Sequence, residues 1–204
     1  MRATLLLGTS NRKKAAELAE LLVPHGVDIQ TLADIADAIS VVEDGATFEE
    51  NACKKAAEQA HHLRRWVLGE DSGLCVDALD GRPGVFSARF SGPTATDESN
   101  NRLLLEQLRD VPSEKRTAHY VCCAALADPT GQVRAESRGA CRGRIRTEPA
   151  GHGGFGYDPL FEVVEYHRTF GELGPLVKQV LSHRGRAMRA IVPQIVRLLT
   201  GSPG

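Results

Sequence analysis

Gly69-Glu70-Asp71-Ser72-Gly73 places two adjacent carboxylates and a hydroxyl between glycines, directly after the apolar run Trp66, Val67, Leu68. Side chains of neighbouring residues in an extended segment point to opposite faces. Glu70 and Asp71 therefore reach a common ligand only if the backbone turns, and the flanking glycines permit a turn there. The stretch reads as a strand that ends in a polar turn. Asp, Ser and Gly are also ordinary turn residues, so whether these acids do chemistry depends on partners elsewhere in the chain.

At 204 residues with 42% hydrophobic content, the chain can bury a sizeable core as one domain over 1–204 with up to two lobes. No Pro/Ser-rich or single-sign charged run of linker length interrupts it. The net charge of -1 supplies no global field for nucleic acid or membranes, so an anionic substrate must be met by placed charges. Five cysteines without C-x-x-C spacing argue against a disulfide framework or zinc knuckle and read as small buried groups in a reducing compartment. The first apolar run, 3–7, is shorter than a signal-peptide core, and 121–127 is far below the roughly 20 residues that span a bilayer. The expectation is a soluble cytoplasmic protein with neither a nucleic-acid nor a membrane partner.

From the N-terminus, 3–7 reads as a buried strand that meets Gly8, Thr9, Ser10 and Asn11. A helix follows, because Ala15, Leu18, Ala19 and Leu22 fall at i, i+3, i+4 and i+7, with His25 and Gly26 ending it. Lys13 and Lys14 then lie in its first turn, where the helix dipole disfavours a cation. Strand, polar turn and helix amides with a lysine can hold a phosphate, although ordinary capping by Ser10 or Asn11 with solvated lysines also accounts for the pattern. The second glycine of a P-loop is missing.

A second strand is read at 27–32, then an acidic loop around Glu43, Asp44 and Gly45. Thr47 with Glu50 three residues on predicts a capping box opening a helix, whose buried stripe is Phe48, Ala52, Ala56, Ala60 and Leu63. So many alanines imply close approach to a sheet or another helix. Beyond the opening stretch, 81–92 reads as an ordered surface loop, and Leu103, Leu104 and Leu108 predict a helix from Asp97 to near Val111 and Pro112. Segments 117–126 and 132–145 read as a hairpin turned at Asp128-Pro129-Thr130-Gly131. Arg142, Arg144 and Arg146 line one face of the returning strand, as expected of a solvated edge.

Gly151, Gly153 and Gly156 satisfy G-x-G-x-x-G, but no apolar strand precedes them and Tyr157-Asp158-Pro159 does not open a helix, so a dinucleotide fold is excluded. The loop is expected to present Phe155, Tyr157 and Asp158 to a ligand, with an aromatic for stacking on a base. Ser182 caps a last helix carrying Ala187, Ala190, Ile191 and Ile195 and bent at Pro193. His183 and Arg184 occupy its first turn, and Lys178 lies just before. Clustered acids for a cation such as Mg²⁺, lysines at helix amides, and an aromatic loop near Lys, His and Arg are the parts of a nucleotide site.

Six segments, T-S-N-R-K-K (9–14), T-F-E-E-N-A (47–52), E-D-S-G-L (70–74), R-P-G-V-F-S-A-R-F-S-G (82–92), G-G-F-G-Y-D-P (153–159) and S-H-R-G (182–185), resemble in order the signatures of the inosine/xanthosine triphosphate pyrophosphatase family. The resemblance spans nearly the whole chain. It implies an elongated α/β fold, a long twisted mixed sheet with flanking helices and two lobes around a central substrate cleft, and a homodimer. It implies Mg²⁺-dependent hydrolysis of ITP, dITP and XTP to the monophosphate and pyrophosphate, the alternative being a purine-nucleotide-binding protein without the chemistry. By position, Thr9, Ser10, Asn11, Arg12, Lys13 and Lys14 would bind substrate, with Thr9, Asn11 and Lys14 on the triphosphate. Glu43 and Glu70 would serve the metal, and Asp71 would be the general base or a further metal ligand. Ser72, Phe155, Gly156, Tyr157, Asp158, Lys178, His183 and Arg184 would line the substrate site, the last two near the purine 6-keto edge. Glu70 departs from the family's frequent Asp, and Ser10 from a frequent Gly.

Overall fold

The computed structural model describes residues 2–10 and 12–201, with the side chains of all but Lys13 and Glu17. Its strands are β1 (Ala3–Leu7), β2 (Val27–Thr31), β3 (Val67–Val76), β4 (Thr117–Ala127), β5 (Val133–Ile145), β6 (Phe161–Val163) and β7 (Arg168–Thr169). They form one seven-stranded sheet in the order β2-β1-β3-β4-β5-β6-β7. The sheet is mixed: β1 runs parallel to both β2 and β3, whereas β6 runs antiparallel to β5 and β7. The helices are α1 (Arg12–Leu22), α2 (Phe48–Leu63), α3 (Asp97–Gln107), α4 (Pro175–Leu181) and α5 (His183–Thr200). The α/β class expected from the sequence is what the chain adopts. Among the described residues no helix is long and apolar enough to cross a membrane.

The chain gathers into two compact units, one of Met1–Asp71, Cys122–Gly139 and Arg186–Gly204 and the other of Ser72–Val121 and Ala140–Gly185. The first unit's core sets Leu18 and Leu22 of α1 and Ala187, Ile191 and Ile195 of α5 with Leu5, Leu7 and Leu68. These helix residues recur at four-residue intervals and so share one face. Gly26, with φ of 79°, takes the left-handed conformation that stops the 3₁₀ turn after α1. The second unit has its own core, in which Tyr120, Phe161 and Phe170 join Leu74, Val76, Leu104 and Leu108. Phe161 and Phe170 stack at 5.3 Å, and full burial of each such side chain is worth about 1.5–3 kcal/mol.

Five expectations need correction. The polar turn at Gly69-Glu70-Asp71-Ser72-Gly73 does not exist, because β3 runs through all five residues. Gly69 serves close packing instead: a Cβ there would stand 2.7 Å from the Ala56 amide nitrogen and press on the Ala52 carbonyl of α2. That is the backbone approach that the alanine stripe of α2 makes possible. The capping box at Thr47 is half formed, since Thr47 Oγ1 accepts from the Glu50 amide at 3.1 Å while the Glu50 carboxylate accepts from Ala46 N at 2.7 Å. Helix α3 stops at Gln107, short of Val111 and Pro112. The arginine-bearing strand β5 is not an edge, since β6 pairs with it at Arg144 and Ile145; Arg144 meets Glu162 at 2.8 Å and Arg146 meets Glu172 at 3.6 Å. Finally, Lys178 does not merely precede the last helix but sits in α4, a separate short helix begun by Pro175 at the position where a missing N–H costs nothing.

Candidate active site

In the first unit, the loop after β1 is pinned to the neighbouring strands. Gly8 N donates to Leu68 O at 2.8 Å, and Leu32 N donates to Thr9 O at 3.1 Å. Helix α1 begins at Arg12, so its first-turn amides stand next to this loop. Lys14, in that first turn, forms an ion pair with Glu70, whose side chain is 3% exposed. Arg12 is turned toward Asp34, at 3.7 Å on the surface. Asn11 lies outside the described residues, and the side chain of Lys13 is likewise not described.

One residue further along β3, Asp71 meets different partners. Asn51 Nδ2 donates to its Oδ2 at 3.0 Å, and Lys55 Nζ stands 3.3 Å from its Oδ1. Lys55 Nζ is also 3.3 Å from Glu43 Oε2, so one ammonium joins the two acids. Burial pushes the Asp71 carboxyl above its ordinary value, and the charge of Glu43 adds to the rise, while Lys55 and Asn51 work against it. A carboxylate raised in this way is a better proton acceptor than a solvated one.

An open pocket of about 500 Å³ adjoins these groups and is lined by Thr9, Ser10, Glu43, Lys55 and Gln59 among others. Gln59 shapes its wall by pairing with both the amide and the carbonyl of Ile39. Asn51, Lys55 and Gln59 join this cluster without being singled out in the sequence reading. Their signal is there in the spacing: 51, 55 and 59 repeat at i, i+4 and i+8, one residue before each of Ala52, Ala56 and Ala60. Asn51 and Gln59 are each 1% exposed, so this polar stripe is buried beside the alanine stripe.

The hard oxygen donors Glu43 and Asp71, both turned to one cation, suit Mg²⁺, which takes one or two carboxylates and completes its shell with water and phosphate oxygens. Among the described residues no three His, Cys, Asp or Glu side chains gather into a self-sufficient metal cage. Glu70 is placed against Lys14.

In the second unit, the glycine loop exposes Phe155 and buries Tyr157 and Asp158. Tyr157 donates its hydroxyl to Ser87 O at 2.8 Å, and Asp158 accepts from Phe155 N at 2.8 Å and pairs with Lys178. Burial raises the Asp158 carboxyl above its ordinary value, opposed by the Lys178 charge. The Phe155 ring has Lys178 Nζ at 4.5 Å and the Arg184 guanidinium at 5.6 Å from its centroid. Arg184 Nη2 reaches Ser72 Oγ at 3.4 Å. His183 lies flat on Tyr120, with ring centroids 4.6 Å apart and planes 9° apart. Ser182 Oγ accepts from Gly185 N at 3.1 Å, which caps α5 and holds this turn.

The first unit thus carries the α1 amides, Lys14, Lys55 and the acids Glu43, Glu70 and Asp71, and the second an exposed aromatic beside Lys178 and Arg184. The chain is an α/β protein, and each unit carries groups of a kind that nucleotide sites use. Comparison with known proteins agrees: the Ham1 family profile matches residues 5–194, and the chain belongs to the Ham1 family. It is 56% identical to a dITP/XTP pyrophosphatase of Rhodopirellula baltica over 96% of this chain and 94% of that protein. A dITP/XTP pyrophosphatase of an Exiguobacterium species is 47% identical over 97% of this chain and 99% of its own length. Among solved structures, a HAM1 protein from Coxiella burnetii superposes with a TM-score of 0.87 at 35% identity, covering 98% of this chain and all (100%) of that one.

Proposed function

We propose that this protein hydrolyses the nonstandard purine nucleoside triphosphates ITP, dITP and XTP to the monophosphate and pyrophosphate, removing deaminated purines from the nucleotide pool. The observation that carries this reading is Asp71: a buried carboxylate with a raised proton affinity, oriented by Asn51 and joined through Lys55 to Glu43. The near-full-length relationship to dITP/XTP pyrophosphatases supports the substrate class.

Asp71 takes a proton from water as its oxygen attacks the α-phosphorus, and the bond from that phosphorus to the bridging oxygen breaks, releasing pyrophosphate. Asn51 donates to Asp71 Oδ2 and fixes the orientation of the carboxylate. Lys14, Lys55, Thr9 and the α1 amides hold phosphate oxygens, and Glu70, paired with Lys14, holds that ammonium in place. Glu43 and Asp71 would hold Mg²⁺, which would supply charge neutralisation on the phosphates. Glu70, in its place beside Lys14, would also serve that metal. Phe155 stacks on the purine, and His183 and Arg184 read its 6-keto edge. A donor matched to a keto oxygen faces an amino group in ATP, and such sites discriminate by about 10⁴. The active form is a cytoplasmic homodimer.

Incubation with ITP and Mg²⁺, with both products identified, tests the reading: IMP and pyrophosphate are expected. Orthophosphate would reassign the protein to terminal phosphate hydrolysis, and ITP binding without turnover at any divalent metal would make it a nucleotide-binding protein.

A further inference from the structure

Helix α3 bears on the glycine loop in a way the purine-contacting residues do not reveal. Asp97, its first residue, accepts from the Gly156 amide at 2.7 Å through Oδ2. Asn101, one turn later on the same face, donates from Nδ2 to the Gly156 carbonyl at 3.0 Å. Both polar groups of one peptide residue are therefore held by one helix. Gly156 has φ of 62°, a backbone conformation that few side chains tolerate. It stands next to Phe155, which is exposed.

Two further observations give the clamp purpose. Asn101 Oδ1 is buried with no hydrogen-bond partner among the described residues. An amide kept at that cost is explained if its Nδ2 donation to Gly156 is needed. Asn100, the residue before Asn101, holds a second segment: it donates to Ser87 O and Ala88 O at 3.3 and 3.2 Å and accepts from Ser91 N at 2.8 Å. Tyr157 of the glycine loop also donates to Ser87 O. The start of α3 is thus a common anchor for the 84–91 segment and the glycine loop.

We propose that Asp97 and Asn101 are positioning residues that set purine recognition by fixing Gly156, and through it the ring of Phe155. The proposal rests on the reading of Phe155 as the purine platform. Neither side chain touches the nucleotide; each acts on the loop backbone. Such placement matters because stacking tolerates little displacement, and a shift of about 1 Å in a site can cost about 100-fold.

Asn101→Asp keeps the shape and replaces the donor with an acceptor facing the Gly156 carbonyl. Asp97→Ala removes the acceptor, while Thr96 retains the helix cap. With Mg²⁺ present, calorimetry should show IMP affinity falling about tenfold or more in each variant, with pyrophosphate affinity changed by less than about twofold. Hydrogen exchange of a peptide spanning residues 151–160 should accelerate while that of 48–63 stays as in the wild type. Equal losses for IMP and pyrophosphate, or unchanged IMP binding despite faster loop exchange, would overturn the proposal. A wild-type protein that binds pyrophosphate but not IMP would instead defeat the purine reading, leaving the exchange data to report the clamp itself.

Discussion

Glu70 and Asp71, consecutive in β3, alternate to opposite faces of the strand, so Glu70 meets Lys14 of α1 while Asp71 meets Lys55 of α2. The two carboxylates therefore do not share a ligand through a turn. Each has its own lysine, and the surroundings differ: Glu70 is paired with Lys14, whereas Asp71 stands beside Glu43 with its carboxyl raised by burial.

If Asp71 is the base, Asp71→Asn should lower kcat for ITP by about 10²–10⁴ while leaving the circular dichroism spectrum and unfolding midpoint at least as high as wild type. The stability expectation follows from the sign of the shift. A carboxyl whose folded value lies above its unfolded one costs stability as pH rises through that window, and the amide removes that cost. Wild-type turnover in this variant would take the role away from Asp71.

Lys55 opposes the effect of burial on Asp71. Lys55→Met should therefore move the acid limb of the kcat/KM profile to higher pH than in the wild type, whose own limb should already lie above the ordinary aspartate value of 3.8. A pH–rate profile of both proteins checks the direction. An acid limb that stays in place would show that Asp71 does not govern it.

Gly69→Ala is expected to destabilise the fold by about 1–3 kcal/mol, because its Cβ would sit 2.7 Å from Ala56 N and α2 would have to retreat from β3. Urea unfolding measures this. Since α2 carries Asn51 and Lys55, the folded protein should also lose turnover, which separates this position from an ordinary core glycine.

Asp128 anchors the β4–β5 turn by accepting from Thr130 N and Oγ1, Gln132 N and Arg134 Nε. Thr130's hydroxyl, with Arg134 and the turn amides, holds its carboxyl down at about 2. A carboxyl depressed on folding stabilises above its unfolded value, near 3.8, and that contribution disappears as pH falls through about 2. Asp128→Ala should cost about 1–3 kcal/mol at neutral pH and nothing measurable below the folded value.

Much of the fold was legible along the chain. Apolar runs located β1, β2 and the β4–β5 pair, and four-residue apolar spacing located α1, α2 and α5, because these patterns reflect burial of one face. The short strands β6 and β7, with three and two residues, carry no such period. Tyr157 and Asp158 are buried, one donating to Ser87 O and the other paired with Lys178, and neither partner shows in the local sequence. Polar residues in a glycine loop look alike in sequence whether they meet a ligand or support the residue that does.

The sequence by itself determined the α/β class, the family, and the inventory of acids, lysines and aromatics, since these depend on residue type, order and local spacing. Only the tertiary structure decided how the inventory is wired. An extended strand sends adjacent side chains to opposite faces, so the division between Glu70–Lys14 and Asp71–Lys55 required knowing that β3 continues through Gly69 to Gly73. The same holds for Asn51 and Lys55: their contacts with Asp71 span 20 and 16 positions in sequence, and packing of α2 against Gly69 is what brings them there.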